Sequence, residues 1–232
     1  MANRYFVDQL PQAGHHVLRG EVAHHLATVL RCRPGDQFVL ADGRGGSALA
    51  TVTGGKGREL VIEVAAAHRS PSPRHCLHVA FAPPKLQRAE WLFEHGTEVG
   101  IDVFWPLWTS RTRPQGDRRE RWQKIATAAA GQCDRDWLPT IGEPQELAAW
   151  LERGGLPVRR FVGDAAGQTF APADAAPGEA LLLVGPEGGF DAAEAQAIAA
   201  AGFLPRRFGS HVLRTETAAL VGAALWHAAA QD

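Results

Sequence analysis

The sequence predicts an α/β protein in which a small β-rich unit precedes a larger domain built around a parallel sheet. Three observations predict it. Short apolar runs and glycine turns fill residues 4–66, a Ser70-Pro71-Ser72-Pro73 link follows, and strand-like and helix-like patterns alternate from there on. Near the C-terminus, four apolar residues, Leu181–Val184, read as a buried strand that stops at Gly185-Pro186-Glu187-Gly188-Gly189. A second strand–loop–helix unit then runs from Phe208 into an alanine-rich helix, and two such units in succession place their loops side by side at one end of a sheet.

In the first unit, Arg4–Val7 reads as a strand and Glu21–Leu30 as a helix with Val22, Leu26, Val29 and Leu30 on one face. Pro34-Gly35-Asp36 turns the chain into a strand over Gln37–Ala41. Ala48–Thr53 and Glu59–Val64 make a hairpin around Gly54-Gly55-Lys56-Gly57. These strands fit a small barrel, domain 1–69, with domain 74–232 beyond the proline-rich link. There, Leu77–Phe81 is a strand, and Lys85–Val99 is a helix carrying Leu86, Trp91, Leu92 and Phe93, closed by Gly100. Ile101–Trp105 is a strand that Pro106 should end or hold at an edge. Asp117 and Glu120 have capping-box spacing for a helix with Trp122, Ile125, Ala126 and Ala129 inward. Pro144–Arg153 reads as a helix, and Val158–Gly163 and Ala180–Val184 as strands. Asp191 and Glu194 form a capping box for helix 192–201, and Thr215 is a suitable cap for the last helix.

Hydrophobic residues make up 45% and charged residues 21%, the balance of a water-soluble globular chain. No run of about 18 apolar residues suggests a membrane span, and the N-terminus lacks the apolar core of a secretory signal. Cys32, Cys76 and Cys133 lie far apart, so neither a disulfide framework nor a zinc-type spacing is indicated; no metal is expected, and a reducing cytoplasm fits. Net charge is −1, but residues 1–124 carry seventeen Lys/Arg against twelve Asp/Glu, and residues 125–232 carry seven against thirteen. That asymmetry suggests a basic docking face on an acidic body. Residues 111–124 are the most basic stretch, six cations to two acids, and point to RNA contact. Arg31, Arg33, Lys56 and Arg58 could also meet phosphates, although any single basic residue can simply be solvated.

Three glycines within five residues at 185–189 remove Cβ atoms where the backbone bends and a ligand could approach. Alone, the run could equally be a tight strand-to-helix connection. Combined with Phe208-Gly209-Ser210-His211-Val212-Leu213-Arg214-Thr215-Glu216-Thr217 it resembles the paired signature of the RsmE-type 16S rRNA uridine-N3 methyltransferases of the SPOUT superfamily. The upstream residues Lys85 with Trp91 and Thr97–Gly100, Arg111, Arg121-Trp122, Gln132, Arg135 and Pro139 resemble the same family, as do His25-Leu26 and Val29–Arg31. Val99, His95, Phe208 and Gly131 depart from its usual residues. The resemblance implies a PUA-like barrel, a SPOUT domain whose C-terminal segment threads a trefoil knot against the general rule, a homodimer, and S-adenosylmethionine as cofactor. It implies 16S rRNA or the assembled small ribosomal subunit as partner.

On this resemblance Leu183, Val184, Gly185, Gly188, Gly189, Phe208, Gly209, Val212, Leu213 and Thr217 are cofactor-binding candidates. Lys85, Arg31, Arg111, Arg121 and Arg135 are candidates for RNA. Methylating uridine N3 requires an unstacked base, loss of the N3 proton and stabilisation of negative charge on O2 and O4. Arg214 is the candidate for that charge, with a loop-fixing salt bridge as its other available role. Glu187 and Glu216 are candidate bases that could instead cap or brace a loop. A knotted methyltransferase acting on another rRNA or tRNA nucleotide, and a non-catalytic RNA-binding relative, share much of this pattern.

Overall fold

The computed structural model describes residues 3–56, 59–112, 116, 118–175 and 178–230. The chain divides into two compact units, Met1–Ser72 with Ala130–Leu138, and Pro73–Ala129 with Pro139–Asp232. Arg58, Arg113 and Asp117 lie outside the described residues, as does the side chain of Lys56.

The first unit contains β1 (Arg4–Phe6), β2 (Gly14–Leu18), the helical turn α1 (Glu21–His24), β3 (Gln37–Ala41), β4 (Gly46–Lys56), β5 (Glu59–Val64) and β6 (His68–Arg69). They form one six-stranded sheet in the order β1-β3-β4-β5-β2, with β6 against β4. The alternation of β5 turns Leu60, Ile62 and Val64 inward, where they pack with Phe38, Leu40 and Val52. The helix expected over residues 21–30 is not regular. After α1 the chain widens into a π turn over His25–Val29, with Leu30 N donating to His25 O at 3.1 Å. The extra residue per turn breaks the 3.6 periodicity, so Leu26 stays buried while Val29 and Leu30 swing out to 63% and 43% exposure. Thr28 contributes by giving its hydroxyl to the His24 carbonyl.

Ala130–Leu138, which a linear boundary assigns to the second domain, belongs to this first unit. Asp136 accepts hydrogen bonds from Arg4 and, at 2.5 Å, from Ser70 Oγ. Burial pushes its carboxyl pKa up, but those hydrogen bonds and the Arg4 charge outweigh burial and hold it low. At Gly131 a Cβ would stand 2.7 Å from the Arg4 carbonyl oxygen, so this position has room for little beyond glycine.

The second unit follows as β7 (His75–Phe81), α2 (Leu86–Glu98), β8 (Val103–Trp108), α3 (Arg119–Gln132, up to Ala129), β9 (Thr140–Ile141), β10 (Gln145–Glu146), α4 (Leu147–Glu152), β11 (Arg159–Thr169), β12 (Gly178–Val184), α5 (Ala192–Ala200), β13 (Leu204–Arg207) and α6 (Thr215–Ala230). Its parallel sheet has the order β10-β8-β7-β12-β11-β13, with β9 also on β8. β12 sits inside the sheet and is buried from Ala180 to Val184, as its unbroken apolar run predicts. Leu182 and Val184 face α2, α3 and α6 through Phe93, Trp122 and Trp226, whereas Leu181 and Leu183 face α4 and α5 through Trp150 and Ile198.

Two expectations fail here. Pro106 neither ends β8 nor lies at an edge: the strand runs on to Trp108 and pairs with β7 through Pro106 itself. On the other side β9 pairs with 103–104 and β10 with 107–108, so no strand asks Pro106 for an N–H there. The helix expected over 144–153 is also shorter, because Gln145-Glu146 extend the sheet first.

Arg206 on β13 grips Asp174 with two hydrogen bonds of 2.8 Å, both side chains being largely buried. This hydrogen-bonded guanidinium holds the Asp174 carboxyl below its usual range. Arg206→Ala should cost about 1–3 kcal/mol at neutral pH. A depressed folded-state pKa stabilises above the unfolded value and stops doing so as pH falls through the folded one. Urea unfolding midpoints of wild type and variant should therefore differ at neutral pH and converge in strong acid.

Candidate functional site

At the end of β12 the chain turns at Gly185-Pro186, and Gly189 N closes the turn on Pro186 O at 2.8 Å. Gly189 has φ +70, a left-handed conformation that disfavours any residue with a Cβ. The expected capping box is present: Glu194 N donates to Asp191 Oδ1 and Asp191 N to Glu194 Oε2, each at 2.9 Å. That backbone hydrogen bond keeps the Asp191 carboxyl below its ordinary range.

Thr215 behaves differently from the cap expected of it. It is the first residue of α6, and its hydroxyl donates to the Gly185 carbonyl at 2.7 Å. A cap would need it before the helix, with its oxygen accepting from the first turn. Its actual bond fastens the second loop to the first. A third segment completes the site: β11 shifts register between Gly163 and Gln168, and Asp164 Oδ1 accepts from Ala166 N at 2.8 Å in the bulge.

The three segments enclose one cavity. Val184, Gly185, Pro186, Glu187, Gly189 and Phe190 line it from the first, and Phe208, Gly209, Val212, Leu213 and Thr215 from the second. Gly163, Asp164 and Ala165 line it from the third. Its wall is largely apolar, with Glu187 and Asp164 as carboxylates and the exposed His211 and Arg207 also on the lining. Val212 is 87% exposed, an apolar side chain that a ligand in the cavity would cover.

Seven of the ten cofactor candidates line this cavity: Val184, Gly185, Gly189, Phe208, Gly209, Val212 and Leu213. Leu183 instead packs on the opposite face of the sheet with Leu181 and Ile198, because alternation turns it away. Gly188 is covered by Arg111, whose guanidinium donates to the Gly188 carbonyl, and a Cβ there would stand 3.0 Å from Arg111 Cδ. Thr217 is half-buried on α6 outside the lining. Arg214 is exposed just before α6 and makes no ion pair or side-chain hydrogen bond among the described residues, so the loop-fixing salt bridge is not formed.

The RNA candidates separate in the same way. Lys85 is exposed beside Arg88 and Glu187, and Arg31 is exposed in the first unit with φ +54. Arg121 is held by Glu90 through bonds of 2.5 and 2.8 Å, and Arg135 Nε donates to Trp137 O at 3.2 Å. Arg88, which the sequence did not single out, pairs with both Glu187 and Glu216 at 3.2 and 3.6 Å. Asp164 was also missed, although the glycine-flanked Gly163-Asp164-Ala165-Ala166-Gly167 after Phe161-Val162 is a readable loop signal. Away from this site, Cys76, His78 and Glu179 bring ligand atoms within 4.8 Å of one another across β7 and β12, a grouping that linear spacing hides. There Trp105 Nε1 donates to His78 Nδ1 at 3.3 Å, and burial lowers the imidazole pKa.

A parallel sheet with a loop-built cavity, and a separate β-rich unit ahead of it, define the class. A family model for an RNA methyltransferase domain matches residues 70–227, and one for an RNA methyltransferase PUA domain matches residues 18–65. The ribosomal RNA small subunit methyltransferase E of Mycobacterium tuberculosis is 33% identical over 100% of this chain and 96% of its own length. That of Bacillus subtilis is 30% identical over 94% and 93%. A Legionella pneumophila protein described as a methyltransferase, solved with bound SAM, superposes with a TM-score of 0.90 at 27% identity, covering 100% of this chain and 99% of its own. The Neisseria gonorrhoeae ribosomal RNA small subunit methyltransferase E, solved with S-adenosyl methionine, shares the fold at TM-score 0.89 and 24% identity over 99% and 98%. The chain belongs to the ribosomal RNA small subunit methyltransferase E family.

Thr215→Val should lower stability by about 1–3 kcal/mol, since it leaves the Gly185 carbonyl without its donor. Thr215→Ser, which keeps the hydroxyl, should lose much less. Chemical denaturation of the three proteins checks both.

Proposed function

We propose that the chain transfers the methyl group of S-adenosylmethionine to N3 of a uridine in 16S ribosomal RNA. The observation that carries this is the cavity enclosed by the Gly185–Phe190 turn and the Phe208–Leu213 loop, tied by Thr215, in a chain of this family. The lining suits the cofactor chemically. Phe208, Val212 and Leu213 would pack an adenine ring, Asp164 would accept from ribose hydroxyls, and backbone groups of the first loop would take polar edges. The cofactor, when bound, supplies an electrophilic methyl group on a sulfonium.

The chain's own residues supply the rest. Arg214, unengaged by any carboxylate among the described residues, is the cation for charge developing on O2 and O4 of the base. Glu187, on the cavity lining and exposed, is the group able to take the N3 proton. Glu216 does not suit that role, being 5% exposed and bound to Arg88. Exposed Arg31 and Lys85 reach toward the RNA, while Arg111, Arg121 and Arg135 act through the loops and helices they brace. In the same reading the C-terminal segment threads a trefoil knot, the active form is a homodimer with Leu183, Gly188 and Thr217 supporting the pocket from behind, and the protein works in the cytoplasm on 16S rRNA or the assembled small subunit. No described helix is long and apolar enough to cross a membrane.

Mass spectrometry of 16S rRNA from a deletion strain should show the loss of one N3-methyluridine. Wild type should restore it, and Arg214→Ala should lower the turnover of purified enzyme by about 100-fold or more. Persistence of the modified nucleoside in the deletion strain would show that another enzyme makes it.

A further inference from the structure

Beside the loop cavity lies a second cleft, lined by Lys85, Leu86, Gln87, Arg88 and Glu187. Glu187 lines both, so the two hollows meet at one carboxylate. Arg88 Nη1 donates to Glu187 Oε1 at 3.2 Å, and its Nε lies 3.6 Å from Glu216 Oε1. The two carboxylates are not equivalent. The side chain of Glu187 is 56% exposed and that of Glu216 only 7%, with Glu216 Oε2 buried and lacking a hydrogen-bond partner among the described residues. A buried carboxylate separated from its cation is strongly unfavourable, whereas a solvated pair is worth little and exchanges readily. Glu216 therefore pins the guanidinium, and Glu187 holds its outward side only loosely. Lys85, one helical turn away, is exposed and has no ion pair among the described residues.

We propose that Lys85 and Arg88 form the subsite for the phosphate of the target nucleotide, and that this phosphate displaces Glu187 from Arg88. A phosphate presents paired acceptor oxygens that match the guanidinium fork, and the Lys85 ammonium adds a second charge that the Glu187 pair does not use. Displacement leaves Glu187 at the mouth of the loop cavity, with its Oε1 no longer accepting from Arg88. Arrival of RNA and release of the base are thereby coupled through one arginine. Arg88 binds the phosphate and positions Glu187; it does not itself touch the reacting atoms. The inference rests on the proposed function, because it requires a nucleic-acid substrate.

The test uses the full-length protein, saturating S-adenosylmethionine and small ribosomal subunits from the deletion strain as the varied substrate. Lys85→Ala and Arg88→Ala should each raise KM for subunits about tenfold, and each should reduce the slope of log KM against log salt concentration by about one. Calorimetric affinity for S-adenosylmethionine should stay within about twofold of wild type, and Arg88→Lys, which keeps the charge without the fork, should restore the salt slope but only part of the lost KM. An unchanged KM and salt slope in the variants overturn the subsite while leaving the methyltransferase reading intact. So does a fall in cofactor affinity that matches the rise in KM, since that marks a structural brace. If Arg88→Ala does not fold, Lys85→Ala and Arg88→Lys decide the matter alone. Failure of wild type to methylate the subunits contradicts the proposed function itself, and the subsite with it.

Discussion

One hydrogen bond holds the site together: the Thr215 hydroxyl on the Gly185 carbonyl, thirty residues back in the chain. β12 ends at that carbonyl and α6 begins at that hydroxyl, so the bond couples the sheet to the final helix where both loops emerge. It can form only if α6 lies close over the sheet. Gly222 permits this, since a Cβ there would stand 3.0 Å from Leu182 Cδ1 and 3.2 Å from the Phe208 ring. The apolar packing of Ala219, Ala223 and Trp226 then keeps the helix in place.

Charge in this chain is spent largely on positioning. The basic stretch after β8 suggests an open nucleic-acid surface, yet Arg111 clasps the first loop and Arg121 ties α3 to α2 through Glu90. Arg88 and Arg206 are held by carboxylates as well. Exposed cations beside the cavities are few among the described residues: Arg214, Lys85 and Arg207, together with the outward side of Arg88. A few cations set against a rigid, mostly neutral wall discriminate the position of a negative charge better than a diffuse basic face would.

The parts of the site legible in the sequence are those governed by local chemistry. The apolar run, the glycine turn and the Asp191–Glu194 box act within about fourteen residues, and each appears where expected. Parts governed by distant partners were not legible. Thr215 has the local chemistry of a cap, and only the fold supplies Gly185 as its acceptor. Pro106 looks like a strand end until β9 and β10 are seen to leave a gap beside it. One residue in a π turn shifts Val29 and Leu30 to solvent without changing the composition of the segment. Arg88 gains its meaning only from Glu187 and Glu216, far along the chain, which the fold sets on either side of it.

We place S-adenosylmethionine in the hollow between the two tied loops. A crystal structure of the protein grown with S-adenosylmethionine tests this placement most directly. The cofactor should lie between Gly185–Phe190 and Phe208–Leu213, with its adenine against Phe208, Val212 and Leu213 and its ribose beside Asp164. Cofactor bound elsewhere on the chain, or its absence from that hollow under saturating conditions, would contradict the claim.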